Sequence, residues 1–485
     1  VTFRPRLLAA ATACLCAALP AHAIELIARG SLSGTASDLS GQSSPLENGV
    51  AGNLLGGIGS GLAWAGGNTF LALPDRGPNA TAYNSAVDDT ASYIARFQTM
   101  TLALTASAPG AALPFTLTPT LSATTLLSST APLAYGSGAG LGNKLDGTPL
   151  GSGAPALNAS TGRYYFTGRS DNYASSQLST FAANGRLDPE AIRVSADGKS
   201  VYISDEYGPY VYEFNRATGV RTRTFTVPAN LAISHLSPVG ATEISGNTTG
   251  RVANKGMEGL AITPDGKTLV GIMQAPLEQD AGKNLRIVTF DVATGQATGQ
   301  YGYKLTTGSG VSEIVALNDH EFLVDERDGN GIGGGAGAKA VAVVKQIFKI
   351  DIKGATDVSS QTGTLTAVPK TLVLDVVKAL GAKGIAANQI PSKLEGLAFG
   401  QDVVLNGVTT HTLYVANDND FNAVDPDTGM ANPNQWFVFG VTDAELGTKL
   451  VAQAVPEPGS WALMLAGLAG VLALSRRRRS AVPVR

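Results

Sequence analysis

Four stretches of the 485-residue chain set acidic or amide residues on both sides of a tight turn, and a fifth sets an acid on the far side of its turn. Glu190 precedes the turn Asp197-Gly198-Lys199, and Asp205-Glu206 follow it at a matching distance. Glu258 and Gln274 flank Asp265-Gly266-Lys267 in the same way. Looser versions place Glu313 and Asp325-Glu326 around Asn318-Asp319, and Glu395 and Asn417-Asp418 around Asn406-Gly407, with Asp420 just beyond. An earlier one, Gly61-Leu62-Ala63-Trp64, turns at Gly66-Gly67 and ends on Asp75-Arg76. Residues equidistant from a hairpin turn lie side by side at its open end. Carboxylates brought that close repel one another unless a cation or a proton neutralises them. A hard cation such as Ca2+, which binds carboxylate, amide and carbonyl oxygens, answers that need. The candidate metal ligands are therefore Asp75, Glu190, Asp205, Glu206, Glu258, Glu313, Asp325, Glu326, Glu395, Asp418 and Asp420.

Basic residues stand beside these acids: Arg76, Lys255, Arg327 and Lys393. Carboxylates mixed with Arg and Lys suit an anionic substrate bridged by metal, such as a phosphate ester. Glu190, Glu258 and Glu395 join the four cations as candidates for catalysis. The plainer account is ion pairing and turn capping within the fold. Zinc fits poorly, because beyond residue 23 the only imidazoles are His235, His320 and His411, at no ligand spacing.

The elements that must position these groups are short β-rich runs broken by Gly, Asp, Asn and Pro. Each hairpin is followed by a second pair of strand-like runs, as at 210–215 with 223–227 and 285–291 with 300–305. Four strands per repeat predict an all-β fold, a β-propeller of about six four-stranded blades over 50–450, following an N-terminal segment at 24–49. Five hairpins are legible, and 120–185 has room for one more blade. A large β-sandwich or β-helix is the competing architecture. Rotation about a propeller axis brings every open hairpin end to one mouth.

The two ends are addressing signals. Arg4 and Arg6, the apolar run Leu7–Leu19 and Ala21-His22-Ala23 predict a secretory signal peptide over 1–23, removed by signal peptidase. At the other end, Pro456-Glu457-Pro458, the apolar stretch Trp461–Leu474 and Arg476–Arg479 resemble the PEP-CTERM sorting signal, here 455–480. That resemblance implies processing by an exosortase, a short transmembrane helix before processing, and a final place in the envelope or outside the cell. The chain carries 35 basic and 38 acidic residues; setting aside the seven arginines and one glutamate of the two ends leaves 28 and 37, a net charge of −9. An acidic body is a poor nucleic-acid binder. Both cysteines, Cys14 and Cys16, fall in the leader, which excludes disulfides and thiolate chemistry from the body.

Beyond the spacing, Leu73-Pro74-Asp75-Arg76-Gly77-Pro78-Asn79, Leu187-Asp188-Pro189-Glu190-Ala191-Ile192, Ser204-Asp205-Glu206-Tyr207-Gly208-Pro209-Tyr210, Asn254-Lys255-Gly256-Met257-Glu258-Gly259-Leu260 and Lys393-Leu394-Glu395-Gly396-Leu397 resemble the phytase-like family, also described as esterase-like activity of phytase. The resemblance covers roughly 50–445. It implies a propeller with acids around its mouth and, by likeness to calcium-dependent propeller phytases, hydrolysis of a phosphorylated small molecule or a phosphodiester. The alternative is a non-catalytic calcium-binding surface propeller that holds an envelope polysaccharide or a protein partner. The sequence leaves the oligomeric state open.

Overall fold

The structure, a computed structural model, describes residues 24–79, 82–335 and 337–453. The expected signal peptide and sorting segment, with its apolar helix, lie outside these residues. Among the described residues no helix is long and apolar enough to cross a membrane.

Five antiparallel sheets form the body, each a meander running outward from a central axis. The inner strands are Gly61–Trp64, Pro189–Val194, Met257–Ile262, Gly310–Ala316 and Lys393–Phe399, and each faces the inner strands of its two neighbours. The propeller therefore has five blades where the repeat pattern predicts about six. The 120–185 region forms no blade. It finishes the outermost strand of the first blade, Phe115–Leu126, and adds the short helix Leu157–Thr161 and a two-residue pairing of Ser128–Ser129 with Tyr164–Tyr165. There is no gap for a sixth blade, because Leu71, Leu73 and Phe97 of the first blade pack directly against Ile192, Ile203 and Tyr212 of the second.

Five such apolar layers hold the ring, one between each pair of adjacent blades. Side chains alternate across a strand, so neighbours serve different layers. Val201 and Ile203 enter the layer toward the first blade, while Tyr202 between them enters the layer toward the third. Covered on both faces, these strands read as nearly unbroken apolar runs. The outer strand of the last blade comes from the other end of the chain: Glu25–Leu32 pairs with Asn434–Val441 and closes the circle. The segment 24–49, set apart in the sequence, thus begins with part of the propeller.

The two sequence-legible turns have matching geometry. Asp197 accepts from Ser195 Oγ at 2.7 Å and Lys199 N at 3.1 Å, and Gly198 takes φ 72°. Asp265 accepts from Thr263 Oγ1 at 2.7 Å and Lys267 N at 3.0 Å, and Gly266 takes φ 71°. Both turns lie at the end of the propeller away from the mouth. Arg193 closes the axial channel between the two ends. Its guanidinium donates to the carbonyls of Leu62 at 2.8 Å, Ile192 at 2.6 Å and Ile314 at 2.9 Å, on inner strands of three blades. The mouth is consequently a blind cup.

Ring closure can be tested at Gly59, whose N-terminal neighbourhood meets the last blade: Gly396 N donates to Gly59 O at 2.7 Å. A β-carbon on Gly59 would lie 2.0 Å from the carbonyl oxygen of Asn417. Gly59→Ala is expected to cost roughly 1–3 kcal/mol or more, seen as a lower Tm in calorimetry. Gly381→Ala, in the helix Val376–Ala382 with open space around it, is expected to gain up to about 1 kcal/mol. Similar behaviour of the two variants would contradict this closure.

Candidate functional site

The site is built on irregularities at the mouth ends of the inner strands. A β-bulge interrupts pairing at Glu190-Ala191, at Glu258, at Ser312 and at Glu395. A bulged residue is left out of the ladder and its side chain is re-aimed. Three bulges thus turn a glutamate into the cup; the fourth carries Ser312. The short serine leaves room for Arg327, whose Nε donates to Ser312 Oγ at 2.6 Å. The same guanidinium hydrogen-bonds to Glu395 and lies 3.7 Å from Glu258.

Two groups of three carboxylates have oxygens within 4.8 Å of one another: Asp188, Glu190 and Glu206, and Asp75, Asp418 and Asp420. Arg76 borders the first group, donating through Nη1 to Asp188 at 2.8 Å and also to Asn254. Lys393 borders the second, reaching Asp418 at 3.0 Å and Asp420 at 2.5 Å. The turn that presents these aspartates is strained, with Asp420 at φ 49° and Phe421 at φ 56°. Left-handed backbone at a bulky residue persists only where surroundings enforce it. Here Asn419 Oδ1 accepts from Phe421 N at 3.1 Å and Gly57 N at 2.9 Å, and the Phe421 ring packs edge-on against Tyr93.

Burial dominates the electrostatics. It raises the carboxyl pKa of Glu190, with Glu258 and Asp188 adding repulsion. It raises Glu206 to about 7, helped by Asp188, and Asp418 to about 7 against the pull of Lys393. Glu258 is raised well above the usual range by burial and by Glu206 and Glu395. Glu258 Oε1 accepts from Gln274 at 2.8 Å, but its Oε2 and Asp325 Oδ2 are buried with no hydrogen-bond partner. The donor set is all oxygen, crowded and short of hydrogen-bond donors. It fits a hard divalent cation and gives a thiophilic one nothing to hold.

The structure brings together most of the residues singled out from the sequence: Asp75, Glu190, Glu206, Glu258, Asp325, Glu395, Asp418, Asp420, Arg76, Arg327 and Lys393. Lys255 stands exposed at the rim. Asp205 is deeply buried, and its carboxylate accepts from the backbone N of Asp188 at 2.6 Å and of Gly208 at 2.7 Å, so it shapes the loop that carries Asp188. Glu326 points to the opposite face from Asp325, into hydrogen bonds with Tyr303 at 2.6 Å and with Lys370. Glu313 lies in the axial channel, 2.9 Å from Arg193. Its bulge falls one residue earlier than equal spacing from the turn implies, and a one-residue slip reverses the side chain. His320 and His411 sit at the far end, beside Asp351 and between Asp402 and Asp443. Sequence reasoning passed over Asp188, although it lies two residues before Glu190 in an Asp-Pro step at the strand entrance.

A family model described as phytase-like, esterase-like activity of phytase, matches residues 53–421. The chain belongs to this phytase-like family. A second model, the PEP-CTERM protein-sorting motif, matches 454–479, the address of an exported envelope protein. A curated relative from Arthroderma benhamiae, described as an uncharacterized secreted protein, is 32% identical over 185 residues, covering 30% of this chain and 36% of that one. The match thus spans about a third of the relative's length. Among solved structures, hydrazine synthase of Kuenenia stuttgartiensis is 10% identical at a TM-score of 0.31, covering 83% of this chain and 90% of its own. A luciferin-regenerating enzyme is 12% identical at a TM-score of 0.31, covering 83% and 97%. Likeness at that level carries no argument about activity.

The raised carboxyl groups make stability depend on pH. Glu206 and Asp418 keep their protons to about 7 when folded and release them near 4.5 and 3.8 when unfolded. Their contribution is therefore full below about 4 and is lost as pH rises through about 7. In a chelating buffer, Tm of the phytase-like body should fall between pH 5 and pH 8; a flat or rising profile would contradict the crowding described here.

Proposed function

We propose that the mouth is the active site of an exported phosphoester or phosphodiester hydrolase that depends on a divalent cation, with Ca2+ as the natural ion. The observation that carries this reading is the convergence of Asp188, Glu190 and Glu206 within 4.8 Å, buried and bordered by Arg76. Those three carboxylates, and separately Asp75, Asp418 and Asp420, are the residues that would hold cations. A bound cation supplies Lewis-acid polarisation of phosphoryl oxygens and lowers the pKa of a bound water.

The chain's own residues do the rest. Arg76, fixed by Asp188 and Asn254, offers a preorganised guanidinium to phosphoryl oxygens. Arg327 and Lys393 stabilise negative charge growing at the same centre, and Lys255 at the rim attracts the anion. Glu258 retains its proton toward neutrality because it is buried beside Glu206 and Glu395, which equips it to protonate a leaving oxygen. Arg193 seals the channel behind the site, so substrate enters and product leaves by the mouth. The sorting motif and the secreted relative support export of the protein, and an envelope or extracellular site of action belongs to this reading.

A second reading is a non-catalytic propeller that uses cations for stability or for binding a surface partner. It is favoured by the ion pairs that already engage Arg76, Lys393 and Arg327. A phosphoester panel separates the two. The enzyme reading expects turnover of p-nitrophenyl phosphate, bis-p-nitrophenyl phosphate or phytate that EDTA abolishes and Ca2+ restores. Glu258→Gln should then lower the rate by about 10²–10⁴-fold with little change in Tm. No turnover on any of the three with Ca2+ supplied, alongside a metal-dependent Tm, would select the second reading.

A further inference from the structure

The last described residues do not trail from the propeller edge. After the short helix Asp443–Leu446, the chain crosses the face opposite the mouth as a strap. Lys349 Nζ donates to Gly447 O at 3.2 Å, and Thr448 Oγ1 donates to Glu321 at 2.5 Å. Val451 N donates to Leu317 O at 2.8 Å, beside the turn of the fourth blade. Gln453 Nε2 then reaches the carbonyl of Val194 at 2.8 Å, the last residue of the second blade's inner strand. Leu450 to Gln453 thus line the same axial cavity as Leu62, Ile262 and Leu397. A second clamp fixes the strap's root: His411 bridges Asp402 at 2.8 Å and Asp443 at 3.0 Å, and Asp443 accepts from Leu450 N at 2.8 Å. The matched sorting motif starts at residue 454, directly after this anchor.

From this geometry we infer that the strap issues the sorting tail from the propeller axis and holds the turn-bearing face against a lipid surface, with the acidic mouth directed away. The tether is too short for the opposite arrangement. Trp461, where the apolar run begins, follows Gln453 by eight residues, at most about 26–29 Å of extended chain. To bring the mouth to the lipid, the tail would have to pass outward across four strands, about 14 Å, and back along a six-residue strand, about 20 Å, before any side-chain width. That detour exceeds the reach. The Pro-Glu-Pro step at 456–458 begins three residues beyond Gln453, within about 11 Å of the anchored side chain, so the processing enzyme meets this same face.

The cysteine-free body makes the test direct. The full chain with its tail, its leader removed, is reconstituted in phosphatidylcholine–phosphatidylglycerol vesicles carrying a headgroup-tethered quencher. One fluorophore is placed through Lys267→Cys, at an exposed turn on the strap face, or through Ser309→Cys, exposed at the mouth end of the fourth blade. The Lys267→Cys label is expected to be quenched several-fold more strongly. Equal or reversed quenching, or failure of the chain to float with the vesicles, overturns the inference. Inserting a flexible linker of about 20 Gly and Ser residues between Gln453 and Ala454 lengthens the tether by several tens of ångströms. It is expected to abolish the difference; a difference that survives overturns the strap as its cause.

Discussion

Closure of the ring is the constraint on which the rest depends. A blade of this size cannot cover its own two faces; each must be buried against a neighbour, and the first must find the last. Pairing of Glu25–Leu32 with Asn434–Val441 meets that condition, and Gly59, too close to Asn417 for any side chain, lets the first and last blades meet. Once the circle is complete, five inner strands must begin around one narrow opening. Burial of acidic residues there follows from topology: any polar group at a strand entrance is carried to the axis, whatever its charge.

The mouth and the opposite end deal with buried charge differently. Arg193 and Glu313 form an ion pair on the axis at 2.9 Å, in which backbone carbonyls of three blades accept from the guanidinium and the carboxylate accepts from Leu260 N at 3.1 Å. Each charge of that pair has its opposite in contact. At the mouth, three cations face a larger number of acids, several carboxyl groups are pushed toward neutrality, and Glu258 and Asp325 each keep an oxygen without a partner. Buried polar groups left unsatisfied are costly. That cost is gathered at the mouth, above the Arg193–Glu313 pair.

Much of this was legible in the residues. The Asp-Gly-Lys turns at 197–199 and 265–267 fixed two hairpins because glycine tolerates the left-handed conformation and the aspartate caps its own turn. Matching distances from those turns then placed Glu190 and Glu258 at the mouth. The same rule misplaced Glu313, because a bulge consumes one residue without consuming a pairing position, and nothing in the sequence marks Ser312 as the residue left out. The count of six blades failed for a related reason. The 120–185 region is long enough for a blade, but length cannot reveal that the first and second blades already share an apolar layer.

The sequence by itself determined the class of fold, the acidic character of the mouth, the absence of cysteine beyond residue 16 and the sorting address near the C-terminal end. These depend on composition, turn chemistry and local periodicity, which act over a few residues. Only the tertiary structure decided the number of blades, the partnership of the first strand with the last, the union of Asp75 with Asp418 and Asp420, the entry of Asp188 into the site and the path of residues 447–453 across the face opposite the mouth. Each of these joins residues tens to hundreds of positions apart, and such contacts are settled by packing around a closed ring, where no local pattern records which distant strand will be the neighbour.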